Sequence, residues 1–265
     1  GLDVLIAVGG DGTLSIAKGL IEKGAPIIGI PKTIDNDVYG TEATIGYDTA
    51  VEMATEALDR LHTTAEAHHR AMVLELMGRH AGFIALMAGV SGGADVILIP
   101  EIPFEFEAIY QKIEARVKRG TLFSLLAVSE GAHLKGGEPI YQETETEDGA
   151  PKLGGLGDAV SKQIQEGCGV ESRVTVLGHL QRGGSPSAAD RWLASRFGAV
   201  AAGLAEEGRI GRMVSLQGGR VRHVDLLAAM KHQKRVDPMG AGVQTARGLG
   251  ICLGDRYDYH REIQE

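Results

Sequence analysis

The fold is decided by the stretch Val4-Leu5-Ile6-Ala7-Val8-Gly9-Gly10-Asp11-Gly12-Thr13. Its apolar run predicts a buried parallel strand, and the residues that follow Thr13 predict a helix from Leu14 to Lys23. Glycines at such a junction let the backbone approach a ligand closely, and the start of a helix attracts phosphate. A strand-to-helix turn also favours Gly and Asp for purely structural reasons, so this stretch alone leaves both a phosphate site and an ordinary turn open.

A second apolar run, Pro26–Ile30, leads into Pro31-Lys32-Thr33-Ile34-Asp35-Asn36-Asp37. The two strands and the helix between them form one βαβ unit, which brings the C-terminal ends of both strands to one edge. Asp11, Asp35 and Asp37 can converge there, where a cation or a substrate proton would relieve their repulsion. This set suits phosphoryl transfer to an alcohol, with one carboxylate for a metal and another for the hydroxyl proton. For Asp37, capping a turn or a helix is an equal alternative.

Several polar motifs occur in the order found in the 6-phosphofructokinase family, which the chain therefore resembles over essentially its whole length. The segments that carry the resemblance are Gly9–Thr13, Pro31–Asp37, Met77–Gly82, Ser129–Gly131 and Arg173–Pro186. The resemblance implies an α/β fold with doubly wound, mostly parallel sheets in two similar lobes. It predicts a donor-binding lobe from residues 1–46 and 182–232, and a sugar-phosphate-binding lobe from residues 47–181 and 233–265. Family members carry further βαβ material ahead of the first motif, so we expect the N-terminal part of the donor lobe to be missing here.

The resemblance also implies an activity, the transfer of the terminal phosphoryl group of ATP-Mg to the 1-hydroxyl of fructose 6-phosphate in glycolysis. The catalytic groups would be Asp35 as the proton acceptor, Thr33 and Asp37 as its helpers, and Arg79 on the transferring group. The donor would be held by the first motif, through Gly10, Asp11, Gly12 and Thr13, with Asp11 as the Mg²⁺ ligand.

A second set of matched positions is implied to hold the sugar phosphate. These residues are Thr33, Asp35, Arg70, Met77, Gly78, Arg79, Glu130, Arg173, His179 and Arg182. Arg70 and Arg173 match arginines that reach the phosphate from a neighbouring subunit, which implies a homodimer or homotetramer with shared active sites. Taken alone, any one loop arginine is more often part of a surface salt bridge.

Two residues bear on the choice of donor. In the family, glycine at the position of Gly12 accompanies ATP, because a larger acidic residue would block the α-phosphate and favour pyrophosphate. Lysine at the position of Lys32 is typical of pyrophosphate-using relatives and of a mixed group that uses ATP. The steric argument favours ATP. A pyrophosphate-dependent phosphotransferase is the alternative, and a non-catalytic sugar-phosphate-binding fragment is the second.

Local patterns predict further elements. Thr49–Glu52 is a capping-box pattern that predicts a helix from Thr49 to about His62. Residues 133–155 are polar and rich in helix breakers, and predict a surface insertion with a hairpin. Residues 213–224 predict a second hairpin.

Composition excludes some classes of function. The chain has 27 basic and 35 acidic residues and a net charge of −8, which argues against nucleic acid as a partner. Two cysteines and the lack of a long apolar run predict a cytoplasmic protein without a membrane partner. The histidines show no spacing typical of a metal site.

Overall fold

The structure, a computed structural model, describes residues 1–137, 141–145 and 151–255. Its elements in chain order are β1 (Leu5–Gly9), α1 (Asp11–Ile21), β2 (Ile27–Pro31), α2 (Tyr47–His68), β3 (Ala71–Leu76), α3 (Phe83–Ser91), β4 (Val96–Leu98), α4 (Phe106–Lys118), β5 (Ser124–Ser129), β6 (Tyr141–Glu145), β7 (Pro151–Leu153), α5 (Leu156–Cys168), β8 (Ser172–Val176), a 3₁₀ helix (Gly178–Arg182), α6 (Ala188–Glu206), β9 (Arg212–Gln217), β10 (Arg220–Asp225), α7 (Leu226–Ala229) and α8 (Ala241–Gly248). Two compact units divide the chain, the first formed by residues 1–50 and 184–234 and the second by the rest of the described residues. None of the helices in these ranges combines the length and the apolar composition that a membrane span requires.

The first unit is built on a four-stranded sheet with the order β1-β2-β9-β10. The first three strands are parallel, and β10 pairs with β9 as the predicted hairpin. Ile28 and Ile30 of β2 point to α6, where they pack with Phe197. On the other face, Leu14 of α1 packs with Met213 and Leu226. Helices therefore cover both faces of this sheet, as a doubly wound α/β fold requires.

Strand β1 is parallel to β2, as predicted, but the prediction that it is buried is wrong. Leu5, Ile6 and Val8 are 41%, 39% and 53% exposed. Among the described residues, the strand pairs with β2 alone and so lies at the edge of the sheet. Continuous apolar runs are typical of strands that are covered on both faces, and the run in β1 has that composition without that cover among the described residues.

The second unit contains a four-stranded sheet with the order β4-β5-β3-β8, in which every pair is parallel. All residues of β3 and β5 are buried, because these two strands are central. Val73 and Leu126 pack with Ile109 of α4 and Val160 of α5. The predicted α/β class with mostly parallel sheets is thus confirmed in both units.

The start of α2 differs from the prediction. The helix begins at Tyr47 and not at Thr49, and it continues to His68. Thr49 does not act as its N-cap, because its hydroxyl and its backbone N–H both donate to the Asp190 carboxylate at 2.5 and 2.8 Å. A third bond from the Gly46 N–H, at 2.8 Å, completes this cap. The capping box is therefore wrong, and the cap comes from a residue 141 positions away in sequence.

The predicted insertion contains an antiparallel pair of strands, β6 and β7. The rest of that prediction, at residues 138–140 and 146–150, lies outside the described residues.

Candidate functional site

The N-terminus of α1 forms an exposed turn at the end of β1. The helix begins at Asp11, three residues earlier than predicted, and its first internal hydrogen bond runs from the Leu14 N–H to the Gly10 carbonyl at 3.0 Å. The N–H groups of Asp11, Gly12 and Thr13 therefore have no acceptor within the helix, and Gly10 offers no side chain as a cap. A Cβ on Gly12 would meet nothing within 4 Å. This helix start has open N–H groups, a positive dipole end and free space, which are the features that bind phosphate.

The loops after β1 and β2 lie side by side. Gly9 pairs with Pro31 in the parallel register, and the Lys32 N–H donates to the Gly9 carbonyl at 2.8 Å. A Cβ on Gly10 would lie 3.0 Å from Thr33 Cβ, so the glycine lets the Thr33 side chain approach the turn. Lys32 is exposed beside this contact. The structure thus brings the predicted donor turn and the predicted acid–base loop together at one edge of the sheet.

Thr33 and Asp35 form a local hydrogen-bonded turn. The Thr33 hydroxyl donates to Asp35 Oδ2 at 3.4 Å and accepts the Asp35 N–H at 3.2 Å. The Thr33 carbonyl accepts the Thr44 hydroxyl at 2.7 Å, which closes the loop on itself. Both side chains are half-buried, so the Asp35 carboxylate is oriented and still accessible.

Asp37 differs from Asp35 because it is buried, with 4% of its surface exposed. Its Oδ2 accepts the Gln233 amide at 2.9 Å, while Oδ1 is buried without a hydrogen-bond partner in the described part of the chain. Its carbonyl accepts the Lys234 N–H at 2.8 Å. Burial lowers the pKa of the Lys234 ammonium to about 8, although Asp37 and Glu42 favour its charged form. Asp37 therefore faces protein groups, and its predicted help to Asp35 would act through the loop that both residues share.

The second unit presents loops at the C-terminal edge of its sheet. The Met77 N–H after β3 donates to Gln181 Oε1 of the 3₁₀ helix at 2.8 Å. The Glu130 N–H after β5 donates to the Leu76 carbonyl at 2.8 Å. These contacts bring the loop at Gly78 and Arg79, the carboxylate of Glu130 and the 3₁₀ helix that carries His179 and Arg182 to one edge.

The backbone of Arg79 adopts a conformation that is rare for a residue with a side chain. Its φ angle is 55°, in the left-handed region that few non-glycine residues adopt. Its N–H donates to Glu130 Oε1 at 3.2 Å, and its side chain is exposed. Gly78 has a φ of 150°, and a Cβ there would lie 2.5 Å from the Ala81 carbonyl oxygen, so only glycine fits. His179 and Arg182 are exposed on the 3₁₀ helix. The exposed side chains of Arg79, His179 and Arg182 therefore lie at one edge of the sheet, where they can bind an anion.

Arg70 and Arg173 lie elsewhere. Arg70 precedes β3, and Arg173 pairs with Met72 near the start of that strand. Both arginines form ion pairs with Glu171, at 3.0 and 2.5 Å. The six residues of β3 span roughly 20 Å, at about 3.3 Å per residue. The two arginines are therefore at the N-terminal end of the sheet, and the structure does not bring them to the edge that carries Arg79.

Three residues that sequence reasoning missed connect these loops: Gln181, Gly131 and Glu101. Gln181 is buried and holds the Met77 N–H. Gly131 lies against the Arg79 carbonyl, and Glu101 accepts the Gly82 N–H at 3.1 Å. Their position in the segments that follow the parallel strands β4, β5 and β8 was the available signal, since such segments share one edge of the sheet. Among the described residues, no group of three or more His, Cys, Asp or Glu could form an all-protein metal site.

Comparisons with known proteins agree with these motifs. The family model described as Phosphofructokinase matches residues 1–205. The ATP-dependent 6-phosphofructokinase of Chloroflexus aurantiacus is 52% identical over 255 residues, which are 96% of this chain and 70% of that protein. ATP-dependent 6-phosphofructokinase 1 of a Synechocystis species is 49% identical, with the same coverage of both proteins.

Solved structures give the same result for the fold. A phosphofructokinase from Saccharomyces cerevisiae aligns with a TM-score of 0.71 and 30% identity, over 86% of this chain and 32% of the yeast chain. A pyrophosphate-dependent phosphofructokinase from Marinobacter aquaeolei aligns over 97% of this chain and 70% of its own, with a TM-score of 0.76 and 21% identity. The second likeness supports the fold alone. With a family model that matches most of its length and relatives near 50% identity, the chain belongs to the phosphofructokinase family.

Proposed function

We propose that the protein transfers the terminal phosphoryl group of ATP-Mg to the 1-hydroxyl of fructose 6-phosphate and so produces fructose 1,6-bisphosphate in glycolysis. The observation that carries this proposal is the edge of the first sheet, where an open helix N-terminus lies beside the Thr33–Asp35 turn. A phosphate site next to an oriented carboxylate is what phosphoryl transfer to an alcohol needs. The names of relatives near 50% identity agree with it.

In the proposed reaction, the first unit holds the donor phosphates and accepts the proton. The N–H groups of Asp11, Gly12 and Thr13 would bind phosphate oxygens, and Asp35 would take the proton of the sugar hydroxyl. Thr33 would keep the Asp35 carboxylate in position through the two hydrogen bonds described above.

The site suits a Mg²⁺ ion that is shared between one carboxylate and the donor phosphates. Mg²⁺ is usually held by one or two carboxylates together with substrate phosphates, and not by an all-protein cage. The exposed Asp11, at the start of α1, supplies one such carboxylate beside the proposed phosphate site. When bound, the ion would neutralise charge on the donor phosphates.

The second unit would bind the acceptor. His179 and Arg182 would hold the 6-phosphate, while Glu130, Met77 and Gly78 would contact the sugar. Arg79 would stabilise the charge on the transferring group, which is where a preorganised cation contributes most to phosphoryl transfer.

Arg70 and Arg173 would act across a subunit interface in a homodimer or homotetramer. Their position at the far end of β3 supports this, because neither side chain can reach Arg79 along a strand of roughly 20 Å. Subunit complementation tests it with Asp35→Asn and Arg173→Ala, two variants that we expect to be nearly inactive alone. If the sites are shared, co-refolded mixtures regain about a quarter of wild-type activity for random dimers. If each site belongs to one subunit, the mixture stays inactive.

The function itself is tested by measuring fructose 1,6-bisphosphate formation with Mg²⁺ and either ATP or pyrophosphate. We expect turnover with ATP and a loss of roughly 10²–10⁴-fold in kcat for Asp35→Asn, since a general base contributes about that much. Binding of fructose 6-phosphate should persist in that variant. Asp59→Asn, at an exposed position on α2, is the matched control. Turnover with pyrophosphate alone would reverse the donor assignment, and normal turnover of Asp35→Asn would refute the mechanism.

A further inference from the structure

The backbone of Arg79 must be held in place by its neighbours. A non-glycine residue in the left-handed region is disfavoured, so it persists only where the surrounding structure determines it. Arg79 has a φ of 55°, and the next turn is closed by a hydrogen bond from the Ala81 N–H to the Gly78 carbonyl at 2.9 Å. Glu130, which accepts the Arg79 N–H, supplies one restraint. The carbonyl of Arg79 also needs space, and the end of its loop needs a second restraint.

Gly131 leaves the space that the carbonyl of Arg79 occupies. It is buried two residues after the end of β5, and a Cβ built on it would overlap the carbonyl oxygen of Arg79. The same Cβ would lie 3.2 Å from Pro100, so it has no alternative space. Gly131 does not have a left-handed φ, so its own conformation is open to any residue. The need for glycine therefore comes from the closeness of Arg79 and from nothing in the Gly131 backbone itself.

Glu101 anchors the other end of the loop. Both of its carboxylate oxygens lie 3.1 Å from the N–H of Gly82, the residue that precedes α3. Its Oε1 also accepts the Val236 N–H at 2.9 Å. Burial raises the pKa of this carboxyl, and the backbone N–H groups oppose that shift. Glu101 thus connects the end of the Gly78–Gly82 loop to the segment at Val236, which belongs to the same unit.

We propose that Gly131 and Glu101 are positioning residues for Arg79: Gly131 leaves room for its carbonyl and Glu101 anchors its loop, so that the left-handed backbone presents the guanidinium to the phosphoryl group. The inference rests on the proposed function, in which Arg79 contacts that group. Neither residue touches the substrate in this proposal, and both act through the Gly78–Gly82 loop.

The experiment combines Gly131→Ala with a double-mutant cycle. The control is Gly248→Ala at the end of α8, where a Cβ meets nothing within 4 Å. We expect Gly131→Ala to lower kcat at least tenfold, with a much smaller change in the KM for ATP, and Gly248→Ala to leave both unchanged. In an Arg79→Ala background, Gly131→Ala should lower kcat less than twofold further, because the group it positions is absent. Additive losses in that cycle, or an unchanged kcat in Gly131→Ala, would overturn the inference.

Two further measurements separate this inference from the proposed function. Hydrogen exchange of the Arg79 amide should speed up in Gly131→Ala and not in Gly248→Ala, whether or not the chain has activity. Absence of turnover in the wild-type protein would refute the proposed function, while unchanged exchange of the Arg79 amide in Gly131→Ala would refute the positioning role. If Gly131→Ala does not fold, Glu101→Gln keeps the side-chain volume and weakens the anchor at Gly82. That variant should lose at least threefold in kcat, again without a further loss in the Arg79→Ala background, and wild-type kcat would contradict the role of Glu101.

Discussion

Replacing Asp190 with alanine should remove the long-range cap of α2 and strongly destabilise the first unit. The carboxylate is 2% exposed and accepts the N–H groups of Gly46 and Thr49, both at 2.8 Å, as well as the Thr49 hydroxyl. Asp190 also lies in the first turn of α6, where the Ser187 hydroxyl accepts its N–H at 3.1 Å. One side chain therefore joins the starts of two helices.

The size of the effect follows from these contacts. A hydrogen bond to a charged group contributes about 1.5–3 kcal/mol net. The two backbone bonds from Gly46 and Thr49 alone therefore predict a loss of about 3–6 kcal/mol for Asp190→Ala. That is a large share of the roughly 5–15 kcal/mol by which domains are stable. Asp190→Asn keeps one acceptor oxygen and turns an amide donor toward the other N–H, so we expect it to lower the free energy of unfolding by about 2–3 kcal/mol.

Urea unfolding measured by circular dichroism gives these free energies directly. The matched control is Asp225→Ala, which removes the local cap of α7, a single bond from the Ala228 N–H at 2.9 Å. An exposed cap of this kind contributes about 1 kcal/mol. If Asp190→Ala lowers the free energy of unfolding no more than Asp225→Ala does, at an unchanged m value, the buried Asp190 carboxylate and its three donors do not stabilise the start of α2 as predicted.

Three further predictions follow from other contacts. Lys234 has a folded pKa of about 8 against an ordinary 10.5, so the unfolded chain binds more protons between these values and the free energy of unfolding rises across that pH window. Lys234→Met should remove that rise, and parallel urea midpoints for both proteins from pH 8 to 10.5 would contradict it. Glu75→Ala should cost about 3 kcal/mol, because the buried carboxylate accepts the N–H groups of Gly155 and Gly157 at the start of α5; a thermal melt within 2 °C of wild type would refute this. Lys32→Ala should change the ratio of ATP to pyrophosphate turnover less than threefold, because Lys32 is exposed beside the turn, and a complete switch of donor in a coupled assay would show that it selects the donor.

The apolar runs at the start of the chain and the helical segment between them were sufficient to predict one βαβ unit, which the parallel pairing of β1 and β2 confirms. The hairpin at residues 213–224 was also predicted from its local pattern and is formed by β9 and β10. The predicted burial of β1 was wrong because burial depends on what lies beside a strand, which local sequence does not contain. The predicted capping box at Thr49 was wrong for a related reason. Asp190 is a stronger acceptor for the same donors, and a contact across 141 residues leaves no local pattern.

Some features of the candidate site were likewise predictable from the sequence, and others were not. Parallel strands explain why Asp11, which follows β1, and the Thr33–Asp35 turn, which follows β2, lie at one edge, and this was predictable from the order of the elements. The burial of Asp37 was not predictable, because it depends on Gln233, which is distant in sequence. The left-handed backbone of Arg79 also leaves no sequence signal, since arginine is not a residue type that favours it.

One arrangement recurs in both units and explains how these loops are spaced. Gly10 in the first unit leaves room for the Thr33 side chain, and Gly131 in the second leaves room for the Arg79 carbonyl. In each unit the glycine lies on one loop at the C-terminal edge of the sheet, and the polar residue lies on the neighbouring loop. A methyl group at either position would not open a cavity; it would push a proposed reacting group away from its place. Such substitutions should therefore lower turnover more than they lower the free energy of unfolding, which is the reverse of what Asp190→Ala should do.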